Sequence, residues 1–287
     1  LFMALNTKTL ITRSLSGLVF VVILLGCIFW NYLSFTLLFF VLSLMGLSEF
    51  YKISVQLGTK PYKTIGYLSS IFLYIFFVKI SLFGIKIDTE IFADFKSVLF
   101  LIPLSVFSVA LFSKEVKPIQ NSIFTLAGIL YVTLPFALIH EIVVKVDDVG
   151  LTQYNYEILL GVIFLIWSND TFAYLGGSLF GKKKMIERIS PGKTWEGTLF
   201  GIAVTFMISF VVKSYFKQEF TIFWPLMGLL VPVLATLGDL IESMLKRQAN
   251  IKDSGNIMPG HGGVLDRFDS LIFVVPFVYV IIKLLQI

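Results

Sequence analysis

Charge is what this chain has least of. Asp, Glu, Lys and Arg make up 14% of its 287 residues, against roughly a quarter in soluble domains. With 57% hydrophobic residues and a mean hydropathy of +0.89, it reads as one polytopic membrane bundle, so length does not count domains here. Cysteine is nearly absent as well. Cys27 stands alone, which excludes an intramolecular disulfide and a cysteine-based zinc site. The net charge of +5 is explained by membrane topology rather than by nucleic-acid binding. There is no internal repeat and no low-complexity tract.

What the chain has instead is apolar runs. A membrane helix needs about 20 mostly apolar residues. Nine runs meet or approach that length, near 14–30, 33–50, 65–85, 97–113, 121–142, 156–179, 197–216, 221–245 and 266–286. Without water in the bilayer core, such runs must be helices. The expected fold is therefore an all-α polytopic membrane protein of about nine transmembrane helices. Lys8 and Arg13 followed by "LVFVVILLGC" have the look of a signal peptide ending at Cys27. A new apolar run begins just after Asn31, however, so a helical hairpin is the better reading.

Lys and Arg set the orientation. With the N-terminus cytoplasmic, sixteen of the 23 basic residues fall in cytoplasmic segments, and the C-terminus lies outside. The outer loops then hold Asp88, Glu90, Asp94, Asp147 and Asp148. Residues 1–150 read as scaffold, lipid access or subunit contact, and residues 151–287 as the catalytic region. Two cytoplasmic loops, about 180–196 and 246–265, concentrate Gly, Pro and charge.

The last run opens with Asp266 and Asp269, three apart and so on one helix face. Neither has a cation three or four residues away. Asp239 in "TLGDLIESMLKR" is equally unpartnered within its segment, whereas Glu242 has Lys246 four residues on. Asp170 sits inside "LIWSNDTFAYLGG". Ionisable groups within spans are expensive and mark function. Like charges held together must protonate or share a cation, and Mg²⁺ with carboxylate and phosphate oxygens is the usual solution.

Lys246, Arg247, Lys252 and Arg267 crowd the second loop, while Ser190 and Lys193 lie in "SPGKTWEG" of the first. Acids that hold a metal, beside cations that hold phosphate, suit phosphoryl or nucleotidyl transfer. Gly260, Gly262 and Gly263 would admit a phosphate at the start of a helix. His261 could bind phosphate, move a proton or only hydrogen-bond in its loop. "GKT" at 192–194 is not a P-loop, since Glu187 stands where the first glycine belongs.

The run "SMLKRQANIKDSGNIMPGHGGVLDRFD", 243–269, resembles the signature of phosphatidate cytidylyltransferases, also called CDP-diacylglycerol synthases. Ser243, Lys246, Arg247, Lys252, Asp253, Gly255, His261, Gly262, Gly263, Asp266, Arg267 and Asp269 fall at its spacing, and Met258 departs mildly from it. "SNDTFAYLGGSLFGKKKMIERISPGKTWEG" is similar to a second motif of that family. The likeness covers the C-terminal half, and the N-terminal half matches only in being hydrophobic and multispanning.

The resemblance implies transfer of CMP from CTP to phosphatidic acid with Mg²⁺, a second cation being an open alternative. Membrane lipids would be partners, nucleic acid would not, and a homodimer stays open. By the resemblance and the charge pattern, Asp239, Asp266 and Asp269 would hold the metal. Lys193, Lys246, Arg247, Lys252 and Arg267 would bind phosphates, with Ser190, His261, Gly262 and Gly263 beside them. Asp170 and Asp253 would ligate or orient. The expected location is a bacterial inner membrane, with the site facing the cytoplasm. A CTP-dependent lipid-alcohol kinase and an ion-coupled transporter are the alternatives.

Overall fold

A computed structural model describes residues 7–78, 99–146, 152–216, 222–257, 260 and 262–286. Among these residues the chain forms α1 (Thr7–Trp30), α2 (Tyr32–Gln56), α3 (Lys63–Phe77), α4 (Leu101–Leu111), α5 (Pro118–Val143), α6 (Glu157–Phe180), α7 (Trp195–Tyr215), α8 (Phe223–Gln248) and α9 (Leu265–Leu285). Six of them, α2 and α5 to α9, are long and apolar enough to cross a bilayer. The apolar part of α1 (Ser14–Trp30), α3 and α4 are shorter. The protein is thus an all-α integral membrane protein. The run expected at 65–85 is described only as far as residue 78, and the five acids expected in outer loops lie outside the described residues.

Two small antiparallel hairpins interrupt the helices. The strands β1 (Val144–Val146) and β2 (Thr152–Tyr154) pair with Val144 opposite Tyr154. The strands β3 (Lys184–Ile186) and β4 (Ser190–Thr194) pair with Lys184 opposite Thr194 and Ile186 opposite Ser190. The segment expected as a plain loop at 180–196 is therefore a hairpin. Glu196 secures its base by accepting the N–H groups of Lys182 (3.0 Å) and Lys183 (3.1 Å). Pro191 is tolerated because a two-stranded hairpin leaves each strand an unpaired edge.

Local chemistry explains the breaks and bends. Asn31 alone separates α1 from α2, forming a capping box in which its side chain accepts Ser34 N–H (2.8 Å) and Ser34 Oγ accepts Asn31 N–H (3.2 Å). Within α5, Ile129–Thr133 widens into a π-helical turn. Its cause is Pro135, which has no N–H to offer the carbonyl of Tyr131 and crowds that carbonyl.

Small residues set how closely the helices approach, since a lipid-exposed bundle is held by packing rather than by escape from water. A Cβ on Gly197 would lie 2.6 Å from the Ala173 carbonyl oxygen, and one on Gly201 would lie 2.9 Å from Asn169 Oδ1. These two glycines seat α7 directly on α6. Gly161 makes room for the buried indole of Trp224, pinning α8 to α6. A continuous apolar core runs from Leu24 on α1 to Ile282 on α9. In it Phe268 meets Phe39 and Phe136 edge-on, at 6.5 and 5.5 Å between centroids. The N-terminal helices are in this way packed against the start of α9.

Gly197→Ala is expected to destabilise the protein by about 1–3 kcal/mol, the usual range for overpacking a close contact. A thermal melt in detergent would read it, and an unchanged midpoint would contradict the close α6–α7 packing.

Candidate functional site

Gly238 brings α8 and α9 together where their acids face one another. A Cβ there would stand 2.7 Å from both the Asp269 carbonyl oxygen and the Phe273 side chain. As a result Asp239, Glu242 and Asp269 converge, each with an oxygen within 4.8 Å of the other two. Asp239 and Glu242 are three apart on α8, and Asp269 comes from α9.

Each acid has a distinct environment. Asp239 pairs with Lys193 of β4 and accepts a 3.2 Å hydrogen bond from Ser243 Oγ. Glu242 is 1% exposed and pairs with Lys246. The same ammonium donates to Asp266 Oδ1 at 2.5 Å. The other oxygen of Asp266 accepts Ser254 N–H (2.8 Å), Ser254 Oγ–H (2.9 Å) and Gly263 N–H (2.8 Å). Asp269 accepts the N–H of Ser270 at 2.6 Å.

Of the three acids expected to share a metal, the structure thus brings Asp239 and Asp269 together. Glu242 completes the cluster, while Asp266 is turned to Lys246 and the glycine-rich loop. The sequence pairs Glu242 with Lys246 but gives no sign that this lysine also takes Asp266 from another helix. That exchange depends on the interhelical contact at Gly238.

The expected phosphate-binding groups divide as well. Arg247 bridges the two loops, its Nε donating to Ile189 O (3.3 Å) and a terminal nitrogen to Ile251 O (3.0 Å). Lys246 is buried between acids, whereas Lys252, Asp253 and Arg267 are exposed and Ser190 is half-buried on β4. Gly262 has φ +83°, a conformation L side chains rarely adopt, and a Cβ on it would overlap Asp266. Gly263 is buried behind it, and His261 lies outside the described residues.

A cavity of about 260 Å³ opens beside the cluster. Asp170, Asp266, Arg267 and Asp269 give it polar walls, and Phe20, Leu24 and Ile163 are among the apolar ones. The apolar wall would suit an apolar tail, while three acids against one arginine leave the polar wall net negative.

Two further groups have no sequence signal near the motifs. Glu49 of α2, 1% exposed, accepts hydrogen bonds from Ser254 Oγ (2.8 Å), Val264 N–H (3.0 Å) and Leu265 N–H (2.9 Å). Tyr131, on the π turn of α5, lies within electrostatic reach of Glu242, Asp269 and Asp239. Its buried hydroxyl has no hydrogen-bond partner among the described residues.

Fold and site together define a polytopic membrane protein with a cluster of acids walled by cations, the apparatus of phosphate chemistry. Comparison with known proteins resolves the class further. A family model described as "Cytidylyltransferase family" matches residues 11–285. The phosphatidate cytidylyltransferase of Bacillus subtilis is 34% identical over 280 residues, covering 95% of this chain and 97% of that protein. Its namesake in Haemophilus influenzae is 36% identical over 160 residues, 52% of this chain and 56% of that protein. The Staphylococcus aureus one is 35% identical over 179 residues, 62% and 65% respectively. The chain belongs to the cytidylyltransferase family and is a CTP-dependent nucleotidyltransferase.

Lys246→Met is expected to destabilise the fold by roughly 3–5 kcal/mol, because it strands buried carboxylates without their cation. Adding Glu242→Gln should restore part of the loss in a detergent unfolding assay. A single mutant as stable as the parent would show that the lysine does not neutralise the pair.

Proposed function

We propose that the protein transfers CMP from CTP to phosphatidic acid, forming CDP-diacylglycerol and pyrophosphate. The observation that carries this reading is the convergence of Asp239, Glu242 and Asp269 beside a cavity with one polar and one apolar wall. An ionised phosphate oxygen of the lipid attacks the α-phosphorus of CTP. The new P–O–P bond forms as the α–β anhydride bond breaks, and pyrophosphate leaves with the electron pair. The attacking oxygen is already ionised near neutral pH, so no side chain has to act as general base.

The donor set fits a hard divalent cation. With every group ionised, the five acids Asp170, Asp239, Glu242, Asp266 and Asp269 stand against three cations, Lys193, Lys246 and Arg267. The excess is two negative charges, and all the ligand atoms are oxygens, as Mg²⁺ prefers. Asp239, Glu242 and Asp269 would hold the ion. When bound it would supply Lewis-acid neutralisation of phosphate oxygens.

The chain's own residues do the remainder. Lys193 and Arg267 flank the cluster and draw the reacting phosphates to it. Lys252, on the exposed loop, meets the departing pyrophosphate, with Ser190, Asp253, His261 and Gly262 around the nucleotide. Asp266 holds Lys246 and the loop in register. Arg247 keeps the two loops joined. The apolar wall of the cavity from α1 and α6 receives the acyl chains, so the lipid need not leave the bilayer.

The same reading sets the topology. Nine spans, the shorter α1, α3 and α4 included, would place the N-terminus and both basic loops in the cytoplasm of a bacterial cell and the C-terminus outside. Residues 151–287 would carry the chemistry, with 1–150 packed around it as support and lipid access.

With Mg²⁺ and phosphatidic acid, label from [α-³²P]CTP should enter lipid and label from [γ-³²P]CTP should leave as pyrophosphate. Lipid labelled from the γ position would identify a kinase instead. Asp239→Asn and Asp269→Asn should each lower kcat by about 100-fold or more, roughly 2.7 kcal/mol of barrier, in a folded protein. Parental turnover in either would remove the cluster from the reaction. Arg267→Ala and Lys252→Ala should chiefly raise KM for CTP or phosphatidic acid, and unchanged kinetics in both would discredit the phosphate contacts.

A further inference from the structure

We infer that Glu49, on the second helix and far from both motifs in sequence, is a positioning residue for the transfer site. It clamps the glycine-rich loop and the first turn of α9 in the arrangement that delivers Asp266 and Asp269. The inference rests on the cytidylyl-transfer reading of that site.

The geometry is specific. α9 begins without a local side-chain cap, because Val264 occupies its N-cap position. The cap comes instead from Glu49, whose two oxygens accept Val264 N–H and Leu265 N–H. These are among the unsatisfied donors at the positive end of the helix dipole, where a carboxylate is favoured. Burial of a carboxylate is costly, and all the hydrogen-bond donors found on this one are neutral. The helix end is what stabilises it.

Two glycines of the loop are explained by the same carboxylate. Gly255 and Gly263 do not adopt left-handed backbone angles, so conformational freedom is not what they provide. A Cβ on Gly255 would stand 2.5 Å from Glu49 Oε1, and one on Gly263 would overlap both Glu49 oxygens. They are small so that the loop can close over Glu49. Ser254 then links this anchor to the site. Its hydroxyl lies 2.8 Å from Glu49 and 2.9 Å from Asp266, and shares one proton between them. From Asp266 the connection runs through Lys246 to Glu242 of the cluster. A displaced Glu49 would thus shift the metal-binding acids without touching substrate.

Glu49→Gln tests the inference, since it keeps the shape but sets an amide donor against donors. Removing a residue that orients ligands typically costs 10–100-fold in activity or metal affinity. The expected result is a fall in kcat of that order and a higher Mg²⁺ concentration for half-maximal rate, with KM for phosphatidic acid within twofold. Glu49→Asp, which keeps the charge, should recover part of both. Independently of activity, trypsin should cut the detergent-solubilised variant after Arg247 or Lys252 at least severalfold faster than the parent. Glu115→Gln, at an exposed ion pair with Lys60, should leave cleavage unchanged. If Glu49→Gln does not survive extraction, Ser254→Ala removes one of the three donors and is judged by the same readouts. Turnover, Mg²⁺ dependence and cleavage all within twofold of the parent would overturn the inference. A parent protein with no cytidylyl transfer would instead sink the functional reading, and the cleavage rates would still decide the role of Glu49.

Discussion

One ammonium group holds the centre of this molecule together. Lys246 lies between Glu242 on its own helix and Asp266 on the next. In a medium of low dielectric neither acid could remain charged alone, and a buried ion pair survives only when its remaining lone pairs are satisfied. Asp266 meets that condition by collecting N–H groups from Ser254 and Gly263. The triad therefore fixes three things at once: the rotation of α9 against α8, the path of the loop between them, and the local charge. Asp269, one turn further along α9, reaches Asp239 because Asp266 is already held.

The two halves of the chain do not divide the work as cleanly as their motifs suggest. Every signature residue lies after residue 160, yet the loop that carries most of them closes on a carboxylate from α2. The apolar side of the cavity includes Phe20, Val21 and Leu24 of α1. Tyr131, on the π turn that Pro135 imposes on α5, lies within electrostatic reach of the acids. The N-terminal helices supply the surface against which the motif-bearing segment packs.

The sequence made the membrane class legible because apolar runs depend on composition alone. It made Asp239 and Asp269 legible because acids without local partners are conspicuous in a greasy chain. It could not show that Lys246 would serve Asp266, twenty residues on, since that pairing depends on how two helices face each other. Nor does the sequence show that Arg247 joins the two loops through the carbonyls of Ile189 and Ile251. Glu49 was silent for a different reason: nothing near "GLSEFYK" marks a lone glutamate as the cap of a helix more than two hundred residues away. The hairpin at 184–194 has little signature in the sequence, because β3 is only three residues long and β4 is polar and interrupted by proline.

Gly238 carries one more implication. Where it meets Asp269 and Phe273 the helices come so close that any larger residue at this position would push them apart. The spacing of the acids on the two helices is therefore set by the absence of a single side chain.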